Sequence, residues 1–201
     1  MKLSGNNMKS SKKLKDEQMR SILFEYYEEK GKRMRFFEEF RLGRKTRADA
    51  LLVTETEMVG FEFKSDKDTL TRLEHQIHDY ERFCDRNYLV TGQKYKEKAL
   101  EEVPEHWGLY VVFLDDEDIL QLECIRKAQP NNKRMRLHNQ LRLLWRSELI
   151  PIVRKYKLGG VTAKNKLELV RTLEHNLSKD IQRQELLEAL IERDYTQYEN
   201  A

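Results

Sequence analysis

Asp49, Glu62 and Lys64 are the residues whose types and spacing could do chemistry. They lie in RADALLVTETEMVGFEFKS, residues 47–65, two short apolar runs joined by a polar turn, with the charges inside the runs. Burying an unpaired charge is costly, so charges in such places call for a compensating partner. A divalent cation would suit the two carboxylates. Together with a backbone carbonyl, that of Phe63, they offer hard oxygen ligands for Mg²⁺ or Mn²⁺, and water completes the octahedron. An ion held there polarises a phosphate oxygen and lowers the pKa of an attacking water. Lys64 would orient that water or stabilise charge in the transition state.

Strand alternation sharpens this reading. In Met58 to Ser65, Val59, Phe61 and Phe63 point to one face, and Gly60, Glu62 and Lys64 to the other. Gly60 leaves room for something to approach the backbone. A hairpin turning near residues 55–57 brings Asp49 within reach of Glu62. The competing reading is an exposed sheet face carrying cross-strand ion pairs. Glu-x-Lys by itself says little, because Glu28-x-Lys30 repeats it at a helix end, where it is an ordinary solvated pair.

The elements that must position these residues follow from periodicity. Met19, Ile22, Leu23, Tyr26 and Tyr27 recur at helical spacing from Asp16 to Lys30, and Gly31 ends the run. Strands are expected at 35–40, 48–54 and 58–65. A helix over residues 65–86 follows, with Ser65, Asp66 or Asp68 as N-cap and Leu70, Leu73, Ile77, Tyr80 and Cys84 as its buried stripe. A strand at 87–91, a short helix at 94–103 and strands at 109–114 and around 120–124 complete a mixed α/β sheet. AQPNNKRMR, within 126–136, reads as a basic linker. Beyond it come helices bearing Leu141, Leu144, Trp145, Leu149, Ile152 and Val153, then one capped by Thr162 and one capped by Ser178. The chain therefore divides into a polar, disordered tail (1–15), a core (16–125), the linker and a small all-α appendage (137–201).

Composition narrows the function classes. No apolar run approaches the roughly 20 residues that span a bilayer, and no signal-peptide pattern opens the chain, so a cytoplasmic protein is expected. Cys84 and Cys124 sit far apart in apolar surroundings and read as small buried thiols, not a disulfide. The five histidines are scattered, which leaves no zinc site, and there is no Walker or dinucleotide glycine motif. Charge is unevenly spread: residues 126–175 hold 13 Lys and Arg against three acids, whereas residues 1–125 hold 22 against 26. So one-sided a segment calls for a polyanion, and nucleic acid is the natural partner. A solvated basic helix surface is the plainer alternative. Homo-oligomerisation is left open.

Asp49 followed by Glu62-Phe63-Lys64 resembles the signature of the PD-(D/E)xK, restriction-endonuclease-like nuclease superfamily, and the expected order α-β-β-β-α-β is similar to its common core. EEFRLGRKTRADALLV, GFEFKSDKDTLTRLEHQIHDYERFCDRNYLVTG and PEHWGLYVV look closer to a small phage and bacterial branch related to MmcB-like DNA-repair nucleases. These stretches span residues 38–113. The resemblance implies metal ligation by Asp49 and Glu62, with Lys64 as the catalytic amine. It implies an upstream glutamate in the shell as well, for which Glu39 fits best, with Glu38 and Glu25 as alternatives. Gln76 and Tyr80 look like the extra polar residues such families place near the metal; the plainer readings are helix surface and core. Ala48 stands where the signature has proline, which makes this half of the motif less diagnostic. LLWRSELIPIVRKYKLGGVTAKNKLELVRTL resembles a SAP-type DNA-binding module, with Arg154, Lys155, Lys157, Lys164 and Lys166 as phosphate contacts. The function so implied is metal-dependent cleavage of DNA in a bacterial or phage-infected cell. The alternatives are a nucleic-acid-binding protein without catalysis and a phage-encoded protein-interaction module on the same fold.

Overall fold

The structure is a computed structural model that describes residues 14–43, 46–65 and 68–195. All but two residues of the expected tail, the cap candidate Asp66 and residues 196–201 lie outside the described residues. Chain order is α1 (Asp16–Glu28), β1 (Met34–Arg41), β2 (Arg47–Thr54), β3 (Met58–Lys64), α2 (Leu73–Phe83), β4 (Arg86–Gly92), a 3₁₀ turn at Gln93–Tyr95, α3 (Lys96–Glu102), β5 (Gly108–Leu114) and β6 (Leu120–Arg126). Four helices follow: α4 (Leu137–Leu141), α5 (Arg146–Lys155), α6 (Lys166–Asn176) and α7 (Lys179–Ile191).

The six strands form one sheet in sequence order. β1, β2 and β3 meander antiparallel, β3, β4 and β5 run parallel, and β6 returns antiparallel to β5. Parallel neighbours need a crossover: α2 supplies it between β3 and β4, and α3 between β4 and β5. This is the mixed α/β sheet expected from the sequence.

Two apolar clusters cover the two faces. On one, Met19 and Leu23 of α1 lie over Leu52, Phe61, Val90 and Val112. On the other, Leu73, Ile77 and Tyr80 of α2 join Leu51, Val53, Leu89 and Val111, and the same cluster continues into Leu141, Leu149, Leu169 and Leu187 of the C-terminal helices. The helical segment therefore shares the core of the sheet. Residues 126–136 are tied down too. Asn131 is buried and donates to the carbonyls of Glu81 (2.6 Å) and Cys84 (3.1 Å), and Arg86 donates to the Ala128 carbonyl at 2.6 Å. Where the sequence suggests a linker, the chain is thus held against the end of α2 and the start of β4.

Two helix starts differ from the sequence expectation. α2 begins at Leu73 with Arg72 at the N-cap, not at residues 65–68. Ser65 and Asp68 instead close a turn on each other, the Ser65 backbone N–H and hydroxyl donating to Asp68 at 2.8 and 2.6 Å. α6 is capped by Asn165, whose carbonyl oxygen accepts from the Glu168 N–H at 3.0 Å while Glu168 accepts from the Asn165 N–H at 2.6 Å. This reciprocal box outcompetes Thr162, which has no glutamate three residues on. Ser178 caps α7 as expected. Both cysteines are free; Cys84 is buried but Cys124, on the last strand, is exposed. No helix among the described residues is long and apolar enough to cross a membrane.

Candidate active site

Site geometry begins with a missing side chain. A Cβ on Gly60 would stand 2.6 Å from the Tyr80 ring and 2.9 Å from Cys84 Sγ and Asn87 Oδ1. What approaches the backbone at Gly60 is thus the protein itself: glycine lets α2 settle close enough for Tyr80 to reach β2 and β3. The Tyr80 hydroxyl accepts from the Asp49 backbone N–H at 3.0 Å and lies 2.9 Å from Glu62 Oε2 and 3.0 Å from the Phe61 carbonyl. Burial, with Glu62 and Asp49 beside it, holds this hydroxyl well above its ordinary pKa, so it stays a neutral donor.

Glu62 has no exposed surface. Its Oε1 accepts from Lys64 Nζ at 2.5 Å and from the Gln76 amide. Gln76 in turn accepts from Lys64 at 3.1 Å, so α2 clasps the Glu62–Lys64 pair from above. Lys64, 9% exposed, lies at the lip of the cluster. Asp49 completes it: its Oδ2 accepts from the Phe63 N–H at 2.8 Å. The β2–β3 pairing extends only to Ala50 opposite Phe61, so this carboxylate takes the place of the next ladder bond. Burial, and then the charge of Glu62, raises Asp49 from 3.8 to about 7, against the opposing pull of the Phe63 N–H and Lys64.

Glu39 takes a different place. It sits at φ +48 between Glu38, which pairs with Ala50, and Phe40, which pairs with Ala48, and here pleating changes phase: Phe37 and Phe40, three apart, share one cluster, as do Ala48 and Leu51. Its side chain is 54% exposed and pairs with Arg20 at 3.3 Å, as Glu38 does at 3.5 Å. Arg20 also donates to the Asp49 carbonyl at 2.5 Å and lies over the Phe63 ring. The third alternative, Glu25, accepts from the Ser21 hydroxyl on the exposed side of α1. Among the described residues no three His, Cys, Asp or Glu side chains converge as a metal-binding group. A Glu39-completed shell is therefore not formed, because an arginine absent from the sequence reading claims both upstream glutamates. Arg20 could not be foreseen, since its reach depends on how α1 crosses the sheet.

A family model described as Bacteriophage P4 protein cII matches residues 9–201. The chain belongs to that family. No curated protein matches this P4 cII-family chain. Among solved structures, the SPO1766 protein of unknown function from Silicibacter pomeroyi is similar at 20% identity and a TM-score of 0.41, covering 64% of this chain and 85% of that one.

The donor set in this P4 cII-family chain fits a hard cation with a sparse protein shell. The second Asp49 oxygen accepts no hydrogen bond from the described residues and is not sealed from solvent. Beside it lies Glu62, and two carboxylates with water and phosphate oxygens are the usual Mg²⁺ environment.

The five cations expected on nucleic acid do not act alike. Arg154 and Lys157 are exposed. Lys155 pairs with Glu185 at 2.5 Å, and Lys164 donates to the Thr172 hydroxyl at 3.0 Å. Lys166 is half-buried and lines a groove, and burial, with Arg193 and Arg142 nearby, lowers its pKa.

Proposed function

We propose that the chain is a divalent-metal-dependent nuclease that cleaves DNA, acting in the cytoplasm of a bacterial or phage-infected cell. The observation that carries this reading is the meeting of Asp49, Glu62 and Lys64 on β2 and β3, clasped by Gln76 and Tyr80 of α2. Asp49 and Glu62, with the Phe63 carbonyl, are the residues that would hold Mg²⁺ or Mn²⁺. The cation, when bound, supplies Lewis-acid polarisation of the scissile phosphate. Tyr80 and Gln76 fix the Glu62 carboxylate, while Lys64 at the lip is the group able to turn toward a phosphate oxygen or an attacking water. Releasing Lys64 from Glu62 leaves Gln76 as its second tether at 3.1 Å, so its position is kept as its partner changes.

The direct test is cleavage of plasmid and single-stranded DNA with Mg²⁺ or Mn²⁺. Metal-dependent cleavage that Lys64→Ala abolishes is the expected result; equal activity of parent and variant would sink the reading. A second reading, nucleic-acid binding without catalysis, is favoured by the saturation of Glu62, whose two oxygens are already engaged by Lys64, Gln76 and Tyr80. Tight, salt-sensitive binding with no metal-dependent turnover would select it.

A further inference from the structure

A groove of about 810 Å³ is lined by residues of β1, α2 and the C-terminal helical segment. Its lining includes Glu39 of β1 and Asp79, one helical turn along α2 from Gln76. Phe40, Leu42, Phe83 and Leu143 make its apolar floor. Arg82, Arg142 and Lys166 line it as well. The side chains of Arg82, Arg142 and Lys166 enter no ion pair and no hydrogen bond with any described residue, although the Arg82 carbonyl accepts from Asn139.

That arrangement is costly in the free protein. Lys166 loses hydration, and the repulsion of Arg193 and Arg142 outweighs the pull of Glu148, a carboxylate that Arg193 already engages. Arg193 is itself committed elsewhere: it is 4% exposed and donates to Glu148 at 2.7 and 2.8 Å and to the Leu143 carbonyl. Above the cations, Trp145 lies under the Arg193 guanidinium at 4.0 Å, and the Tyr195 ring, 47% exposed, meets Trp145 edge-on at 5.2 Å. Unpaired cations beside an accessible aromatic ring match a nucleic-acid strand, whose phosphates need counter-charges and whose bases need a stacking surface.

We propose that this groove is the strand-binding channel: Arg142 and Lys166 hold backbone phosphates, Tyr195 stacks a base, and the strand runs along α2 toward Lys64. The inference deepens the nuclease reading and rests on it for the direction of the strand, but not for binding itself. It moves the principal phosphate contacts from the outward cations of α5 and α6 into the groove.

The test uses the full chain in a Trp107→Phe background, so that Trp145 is the sole tryptophan reporter, with a fluorescein-labelled oligothymidylate in EDTA to prevent turnover. Lys166→Met is the central variant, because it removes charge repulsion while keeping the apolar stem, and it should melt no lower than its parent. Arg142→Glu is the second. Expected results are quenching of Trp145 by the oligonucleotide, at least about tenfold weaker binding in each variant, and a shallower salt dependence by about one contact. Unchanged affinity and salt slope in a folded Lys166→Met variant, or an unresponsive Trp145, would overturn the proposal. Cleavage separates the two readings. Parent protein that binds through the groove but does not cleave refutes the nuclease alone, whereas normal cleavage and binding by Lys166→Met refutes the groove alone.

Discussion

The Glu62 cluster and the Lys166 groove treat charge in opposite ways. In the cluster most of the charge is answered from within: Lys64 and Gln76 meet one Glu62 oxygen, Tyr80 the other, and a strand N–H meets one Asp49 oxygen. In the groove, the side chains of Arg142 and Lys166 enter no ion pair among the described residues, and the acids that share the lining are answered elsewhere, Glu38 and Glu39 by Arg20 and Asp79 by the Thr46 hydroxyl. A self-satisfied cluster holds geometry, whereas a row of unanswered cations reserves its interaction energy for something that arrives. The difference teaches where to look for positioning and where to look for affinity.

Changes that break this contrast can be ordered by size. Lys64→Ala removes the ammonium of the cluster and should lower metal-dependent cleavage by about 10²–10³-fold, as loss of a transition-state donor does elsewhere. Oligonucleotide affinity should barely move, and steady-state cleavage set beside anisotropy binding measures both. Asp49→Asn reads the electrostatic strain. The folded chain holds the Asp49 proton to about pH 7 and the unfolded chain only to about 3.8, so folding takes up a proton between them and stability falls as pH rises through that window. The asparagine variant should therefore gain on its parent by on the order of 3 kcal/mol between pH 4 and 8 in metal-free urea melts. A constant difference across that range would remove the strain from the account.

Gly60→Ala presses on Tyr80, Cys84 and Asn87 together and should cost about 1–3 kcal/mol, the usual price of overpacking, seen as a lowered melting temperature. Because Tyr80 must then retreat from Glu62, cleavage should fall with it. The smallest effect belongs to Arg154→Ala with Lys157→Ala on the exposed surface. Their loss should weaken oligonucleotide binding by no more than about threefold at physiological salt, in keeping with solvent-screened charges. A larger loss there than in Lys166→Met would reverse the contrast.

Much of the scaffold was legible from the chain. Alternation in Met58–Lys64 put Glu62 and Lys64 on one face and Phe61 and Phe63 on the other, and the clusters follow that division. The stripe Leu73, Ile77, Tyr80 marked the buried side of α2. Gln76 and Tyr80 entered only through the nuclease resemblance, with helix surface and core as the plainer readings, and the structure sets both against Glu62. What escaped the sequence depends on contacts between distant segments. Arg20 claims Glu38 and Glu39 from another element, Asn131 stitches an apparent linker to α2, and Lys166 turns inward because α4 and the chain after α7 surround it. Helical periodicity tells which face of a helix is apolar; it does not tell what stands opposite the polar face.

The left-handed backbone of Glu39 has a consequence for the company this protein keeps. β1 is an outer strand of the sheet, eight residues long, and a flat outer strand of that length is a template for another copy to join. The change of phase at Glu39 leaves only residues 34–38 before the break as regular pleat, and Arg35 turns back to the carbonyls of Ile191 and Arg193 after α7. The chain thus blunts its own edge along β1 with the same residue that answers Arg20.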